Sequence, residues 1–308
     1  MSHHPVLVAS KSFGYGAPLE KLNSLFSAYS LKPTFEPFES ALAHIDEFEG
    51  IIIGTSKVTR EVLFDARNLK AVVKYGVGID NIDTEAAREL NVKVFNLPGI
   101  NSESVAEMAL SLMFAAGRKV AMGDRSLRAG KWEGLIGNSL TGKTLGIIGT
   151  GSIGCSLARM VAGLNMTVIG YDIVENKDFP SAGGSYVPLE ELLASADYIS
   201  LHLSLNPKTQ HFIDREKMAL MKSSAILINT SRGKVVDERA LIEALNHGKL
   251  AGAGLDVFEE EPPTCPELLA AENAVITPHI AAYTHETLRR MDEACVSTMS
   301  RALLGALS

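Results

Sequence analysis

Three kinds of polar residue, each placed just after a short apolar run, are of types that together can reduce a carbonyl. Arg232 sits in the turn Thr230-Ser231-Arg232-Gly233 after AILIN. Three glutamates (259–261) follow GLDVF, and His279 follows AVITP. A carbonyl that accepts hydride becomes an alkoxide and needs a proton, which histidine can carry near neutral pH. A carboxylate beside the imidazole favours the protonated ring and fixes its orientation. An arginine fork can hold a substrate carboxylate and polarise the carbonyl next to it. The chemistry these types spell is hydride transfer to a 2-oxo acid. Singly, each has a plainer use: Arg232 in a surface ion pair, His279 bonded to a backbone carbonyl, the glutamates solvated. Within the trio, Glu261 precedes Pro262-Pro263, which bars it from most helical conformations and stiffens the chain beyond it. Local chemistry still leaves Glu260 open.

A hydride needs a carrier, and TLGIIGTGSIGCSLARMV (144–161) supplies a place for one. An apolar strand runs into Gly149-x-Gly151-x-x-Gly154 and then an amphipathic helix. Glycines there allow a tight turn and let a pyrophosphate approach the backbone, while the helix N-terminus offers unpaired N–H groups and a favourable dipole. Asp172 follows the next strand, TVIGY, where its carboxylate can accept from adenosine ribose hydroxyls. Ile173 and Val174 come after it, with no arginine beside the acid to meet a 2′-phosphate, so NAD is expected rather than NADP. A second loop, Gly14-Tyr15-Gly16, has Leu19 at the third glycine position and no suitably placed acid; it is set aside. Cys155, in the first turn of the glycine-loop helix, reads as a small packed residue.

These groups must be positioned by a scaffold, and the sequence describes one. β-branched runs alternate with helical patterns, the signature of α/β domains with parallel sheets. The runs are Val6–Ala9, Ile51–Ile53, Ala71–Lys74 and Val92–Phe95, then Thr144–Ile148, Thr167–Tyr171, Tyr198–Leu203, Ala225–Asn229, Ala251–Phe258 and Ala274–Thr277. Helices are expected at Pro18–Tyr29, Asp83–Leu90, Val105–Ala116 and Thr284–Leu303. The helix at 105–116 is apolar on several faces, which predicts more than one packing neighbour and an inter-domain or subunit contact. In an open parallel sheet, ligands bind beyond the carboxyl ends of the strands. Every polar turn named above lies there, so arginine, carboxylate and histidine are expected to converge.

Composition narrows the classes. The 308 residues suffice for two domains. Net charge is −7, with acids and bases interspersed, and no basic stripe marks a nucleic-acid surface. MSHHPVLVAS lacks the basic and long apolar regions of a signal peptide, and His3–His4 reads as a disordered start. No apolar stretch is long enough to span a membrane. Three cysteines without repeating spacing suit a reducing compartment, so a cytoplasmic protein is expected.

From about Gly50 to Tyr283 the sequence resembles the D-isomer-specific 2-hydroxyacid dehydrogenase family. The motifs are GVGIDNID (76–83), NSESVAEMAL (101–110), GIIGTGSIG (146–154), INTSRGKVVDE (228–238), GLDVFEEEPP (254–263) and TPHIAA (277–282). The resemblance implies two Rossmann-like, doubly wound parallel-sheet domains. The substrate domain would comprise 1–99 plus 283–308, with the NAD-binding domain, 100–282, inserted into it. It implies Arg232 as the substrate-binding arginine, Glu261 as the partner of histidine, and His279 as acid/base, which decides between Glu260 and Glu261. It implies a grip on the substrate carboxylate by backbone amides around Tyr75, Gly76, Val77 and Gly78. Cofactor contacts are implied for Gly149, Gly151, Ser152, Ile153, Gly154, Asp172, Leu203, Thr230, Ser231, Asp256 and Ala281. By itself Asp256 reads as a buried, hydrogen-bonded acid. The family also implies a homodimer through the cofactor domain, including the helix at 101–116.

The chain departs from the family pattern in places. Ser204 replaces the usual proline of H-x-P-L, and Ala281 stands where a glycine is usual. GVGIDNID and NSESVAE look most like the phosphoglycerate dehydrogenase branch, and Lys74 sits where that branch often carries a cation. Gly54 and Gly134, however, fall where phosphate-binding arginines are expected. Formate oxidation is disfavoured because the family's formate enzymes pair the histidine with an amide. An NAD(H)-sensing scaffold is disfavoured because such members carry long disordered tails.

Overall fold

The computed structural model describes residues 3–305. It divides into two compact units, Met1–Asn101 with Ala282–Ser308, and Ser102–Ala281. The second unit is thus inserted into the first, with boundaries at 101/102 and 281/282 where the sequence motifs place them at 99/100 and 282/283.

The first unit is built on five parallel strands: β1 (His4–Ala9), β2 (Leu31–Phe35), β3 (Gly50–Ile53), β4 (Ala71–Lys74) and β5 (Lys93–Phe95), in the order β2-β1-β3-β4-β5. Alternate side chains point to opposite faces, and both faces are covered. Val6, Val8, Ile52 and Val73 meet Phe26 on one face. Leu7, Ile51, Ile53 and Val72 meet Leu63 and Ala86 on the other. The last helix, His285–Leu304, seals the first face through Met291, Cys295 and Met299, so the chain's final segment belongs with its first. His4, expected in a disordered start, instead opens β1 and pairs with Glu49 (2.6 Å). Gly16 is a packing glycine, since an added Cβ would lie 2.1 Å from Arg289 N.

The second unit holds seven parallel strands: β6 (Thr144–Ile148), β7 (Thr167–Tyr171), β8 (Gly184–Tyr186), β9 (Tyr198–Leu201), β10 (Ile226–Asn229), β11 (Gly252–Leu255) and β12 (Ala274–Ile276). Their order is β12-β11-β10-β9-β6-β7-β8, so the connections reverse direction between β6 and β9. That is the switch point at which doubly wound sheets open a crevice. The helix Ser102–Gly117 packs on the glycine-loop helix Ser152–Met160 and on β10, β11 and β12, with Leu112 against Gly254. These neighbours all lie within its own unit.

Candidate active site

Register decides what meets at the sheet's carboxyl edge. Tyr171 pairs with Ile148, Ile148 with Leu201, Leu201 with Asn229, Asn229 with Leu255, and Leu255 with Ile276. These are the last residues of six adjacent strands. The next residue in each case is therefore level with the others: Asp172, Gly149, His202, Thr230, Asp256 and Thr277. The polar turns form one row because the strands end together.

Three of those turns are locked to one another. Gly233 lies so close to the backbone of Phe258 that an added Cβ would be 1.8 Å from its carbonyl carbon. Asp256 N–H donates to the Asn229 carbonyl (3.0 Å), and His279 N–H to the Asp256 carbonyl (2.9 Å). The fully buried Asp256 carboxylate then organises the histidine turn. Its Oδ1 accepts from Thr277 Oγ1 (2.6 Å) and Ile280 N–H (2.9 Å), and its Oδ2 from Ala281 N–H (2.8 Å). Burial raises its pKa, and those bonds with the nearby His279 offset part of the effect. So the acid that reads as buried and hydrogen-bonded is that, and it holds His279 at a φ of 53°, left-handed backbone seldom used outside glycine.

His279 Nδ1 lies 2.7 Å from Glu261 Oε2, with the two side chains 36% and 34% exposed. An ionised carboxylate carries no proton, so Nδ1–H donates and Nε2 is the nitrogen left to exchange a proton with a ligand. Glu261 Oε1 accepts from Phe258 N–H (3.2 Å). Burial pushes the Glu261 pKa up; the bond and charge of His279, the Phe258 amide and the charge of Arg232 outweigh it and hold the carboxyl below its ordinary value. Arg232 is steadied locally, its Nη1 donating to Ser231 O (2.7 Å) and its carbonyl accepting from Asn229 Nδ2 (2.9 Å). The other two glutamates have different surroundings. Glu259 accepts from Glu238 N–H (3.0 Å) and pairs with His211 (2.9 Å), while exposed Glu260 accepts from the Thr264 hydroxyl (3.3 Å).

The glycine loop has the form a dinucleotide requires. Gly149, at φ 94°, abuts the His202 carbonyl, where an added Cβ would lie 2.6 Å from the oxygen, with Leu203 N at 3.2 Å. Gly154 packs on the Gly149 carbonyl (2.4 Å to an added Cβ), but at Gly151 an added Cβ would meet nothing within 4 Å. Two glycines thus shape the turn and the third leaves room for a ligand at the start of the helix that begins Ser152-Ile153. The buried Thr230 hydroxyl has no partner among the described residues, and buried Ser231 bonds back to Asn229 Oδ1 (2.8 Å). Burial lowers the His202 pKa to about 4, so that ring stays neutral. Cys155 is packed, donating to the Thr150 carbonyl (3.3 Å), and burial raises its thiol pKa.

In the first unit, the amides of Tyr75 and Gly76 are engaged by the carbonyls of Ile53 (2.8 Å) and Lys74 (2.9 Å). The Tyr75 hydroxyl donates to buried Asp292 (2.7 Å), and the Val77 carbonyl accepts from Asn96 (2.6 Å). Lys74 is buried, with its ammonium on the Gly54 carbonyl and on Asn81 Oδ1 (3.0 Å).

Residues 110–281 match the family described as D-isomer specific 2-hydroxyacid dehydrogenase, NAD binding domain. A glyoxylate reductase of Korarchaeum cryptofilum is 45% identical over 247 residues, 78% of this chain and 74% of that protein. A hydroxypyruvate reductase of Thermotoga maritima is 42% identical over 285 residues, covering 89% and 92%. The chain belongs to the D-isomer-specific 2-hydroxyacid dehydrogenases. As a member of that family it is an NAD-dependent oxidoreductase acting on CH–OH groups. A D-3-phosphoglycerate dehydrogenase of Methanocaldococcus jannaschii is 41% identical over 275 residues, but the chain spans only 52% of its length. Among solved structures of the family, the D-lactate dehydrogenase of Aquifex aeolicus, complexed with NAD and lactic acid, superposes with a TM-score of 0.86 at 30% identity. It covers 99% of this chain and 96% of that one.

Proposed function

We propose that this dehydrogenase reduces small, unphosphorylated 2-oxo acids of the glyoxylate and hydroxypyruvate type to D-2-hydroxy acids, using NADH. The observation that carries the reading is the His279–Glu261 contact on the turn locked to that of Arg232. NADH supplies the hydride when bound. Arg232 holds the substrate carboxylate and polarises the carbonyl through its fork. His279 Nε2 delivers the proton that neutralises the alkoxide, and Glu261 accepts from Nδ1–H and fixes the ring. The family resemblance assigns a carboxylate grip to the backbone around Tyr75, Gly76, Val77 and Gly78, of which the Tyr75 and Gly76 amides already donate within their own unit. Thr230, Ser231 and Leu203 serve the cofactor from the same row of strand ends.

The names of the relatives support the choice of substrate, and so does Lys74. The cation that the phosphoglycerate dehydrogenase motif provides is turned onto backbone and Asn81, and Gly54 and Gly134 bring no arginine. Phosphoglycerate dehydrogenase activity is the second reading, favoured by the motif match and by the 41% relative. A homodimer in the cytoplasm completes the proposal. Supporting it, Val120, Leu127, Trp132 and Ile136 are large apolar side chains exposed along one stretch of the inserted unit, and all three cysteines are unpaired.

The test is NADH oxidation with glyoxylate, hydroxypyruvate, pyruvate and phosphohydroxypyruvate, for the native protein and for His279→Ala. The unphosphorylated acids are expected to have the higher kcat/KM, and His279→Ala to lose at least about 100-fold while still binding NADH. A preference for phosphohydroxypyruvate selects the second reading. Retention of more than about a tenth of the rate by His279→Ala removes the histidine from the proton transfer.

A further inference from the structure

Asp172 is held by a series of hydrogen bonds that extends back through Thr150 and Tyr186 to Asn176. The Asn176 N–H donates to the Tyr186 hydroxyl (2.6 Å), which lies 2.7 Å from Thr150 Oγ1. Thr150 Oγ1 lies 3.3 Å from Asp172 Oδ2, and the Thr150 N–H reaches the same oxygen at 2.7 Å. An ionised carboxylate offers no proton, so when the Thr150 hydroxyl donates to Asp172 it accepts from Tyr186, whose hydroxyl also reaches the Asn176 carbonyl (3.3 Å). Donors arranged head to tail polarise one another, which strengthens the last bond, the one on the carboxylate. The Asn176 side chain closes the arrangement by donating to the Thr150 carbonyl (2.9 Å).

Packing keeps the relay in place. Thr150 is fully buried, as is Phe179, whose ring lies 5.2 Å from that of Tyr186. The Phe179 ring fills the space above Gly170 and Gly184, where an added Cβ would come within 2.4 and 2.3 Å of it. The effect on Asp172 is asymmetric. Oδ2 takes two donors from Thr150, while Oδ1 takes one long bond from Val174 N–H (3.4 Å) and keeps accepting capacity for hydroxyls. Swinging the carboxylate aside to admit a phosphate would break the Thr150 bonds.

We propose that Tyr186, Thr150 and the Asn176 amide position Asp172 for the adenosine ribose hydroxyls, and thereby set this chain's preference for NAD over NADP. Family resemblance assigns the acid; the relay behind it is read from the geometry. Tyr186 and Thr150 are positioning residues that act through Asp172.

Fluorescence titration of NADH and NADPH against the native protein and variants tests this without any turnover. Native protein is expected to bind NADH more tightly. Tyr186→Phe and Thr150→Val should each weaken NADH about three- to tenfold, the worth of one hydrogen bond, and leave NADPH nearly unchanged. Thr150→Ser, which keeps the hydroxyl, should behave as native. Added to Asp172→Ala, Tyr186→Phe should cause no further loss. The proposal is overturned by equal native affinity for the two dinucleotides, by an unchanged NADH-to-NADPH ratio in Tyr186→Phe whatever its thermal stability, or by additive losses in the double variant.

Discussion

Glu261 stays charged through an energetic contest that can be traced group by group. Burial works against its charge, yet His279, the Phe258 amide and Arg232 together keep its pKa below the ordinary carboxylate value. It is therefore ionised throughout the neutral range, and its folded-state contribution to stability is present above the ordinary value and lost as pH falls through the lower one. For catalysis the relevant consequence lies on His279. On the proposed mechanism reduction takes its proton from that ring, and Glu261→Gln removes the carboxylate that accepts from Nδ1–H and fixes it. A fall of at least about tenfold in kcat/KM for glyoxylate reduction is expected in Glu261→Gln; an unchanged value would contradict the pairing. Residue types alone carry the reading this far: arginine, histidine and a carboxylate are legible as a carbonyl-reducing set. The choice between Glu260 and Glu261 is not, because it turns on what the turn brings each against, the Thr264 hydroxyl in one case and His279 in the other.

At the scale of elements, the strands that position the site are readable because buried parallel strands are uninterrupted β-branched runs. The two that the pattern does not reveal, β2 and β8, each lie at one edge of their sheet. Leu31–Phe35 carries Pro33, which only an edge tolerates easily, and Gly184–Tyr186 is three residues long. With β8 hidden, Tyr186 is hidden too, so the support of Asp172 has no signal in the sequence. The apolar run Ala251–Phe258 is longer than its strand: β11 ends at Leu255, and Asp256 leaves the sheet to hold the histidine turn. Gly233 shows the opposite case, a glycine retained for space and not for its backbone angle. Gly233→Ala is expected to lower the urea midpoint by an amount equivalent to at least about 2 kcal/mol, through collision with Phe258. It should also depress kcat, since Arg232 and Glu261 flank the contact. Native stability in that variant would refute the close approach.

For the whole molecule, the alternation of strands and helices points to two α/β units, and the glycine loop beginning mid-chain is the sign that one interrupts the other. The closing helix can be assigned to the first sheet only through the family resemblance, because its partners Val6, Val8 and Val73 are distant in sequence. The exposed stretch holding Val120, Leu127, Trp132 and Ile136 bears on assembly. Sedimentation is expected to give twice the 33.0 kDa chain mass, and Leu127→Ser with Trp132→Ser to give the single mass; a native monomer would remove the dimer from the proposal. The contact of Gly233 with Phe258 has one more consequence. On the proposed mechanism the turns that carry Arg232 and Glu261 share one ledge, so neither can be tuned alone. Attempts to widen substrate choice by reshaping residues 258–261 will alter affinity for the acid group as well, and a redesign that spares one must compensate at the other.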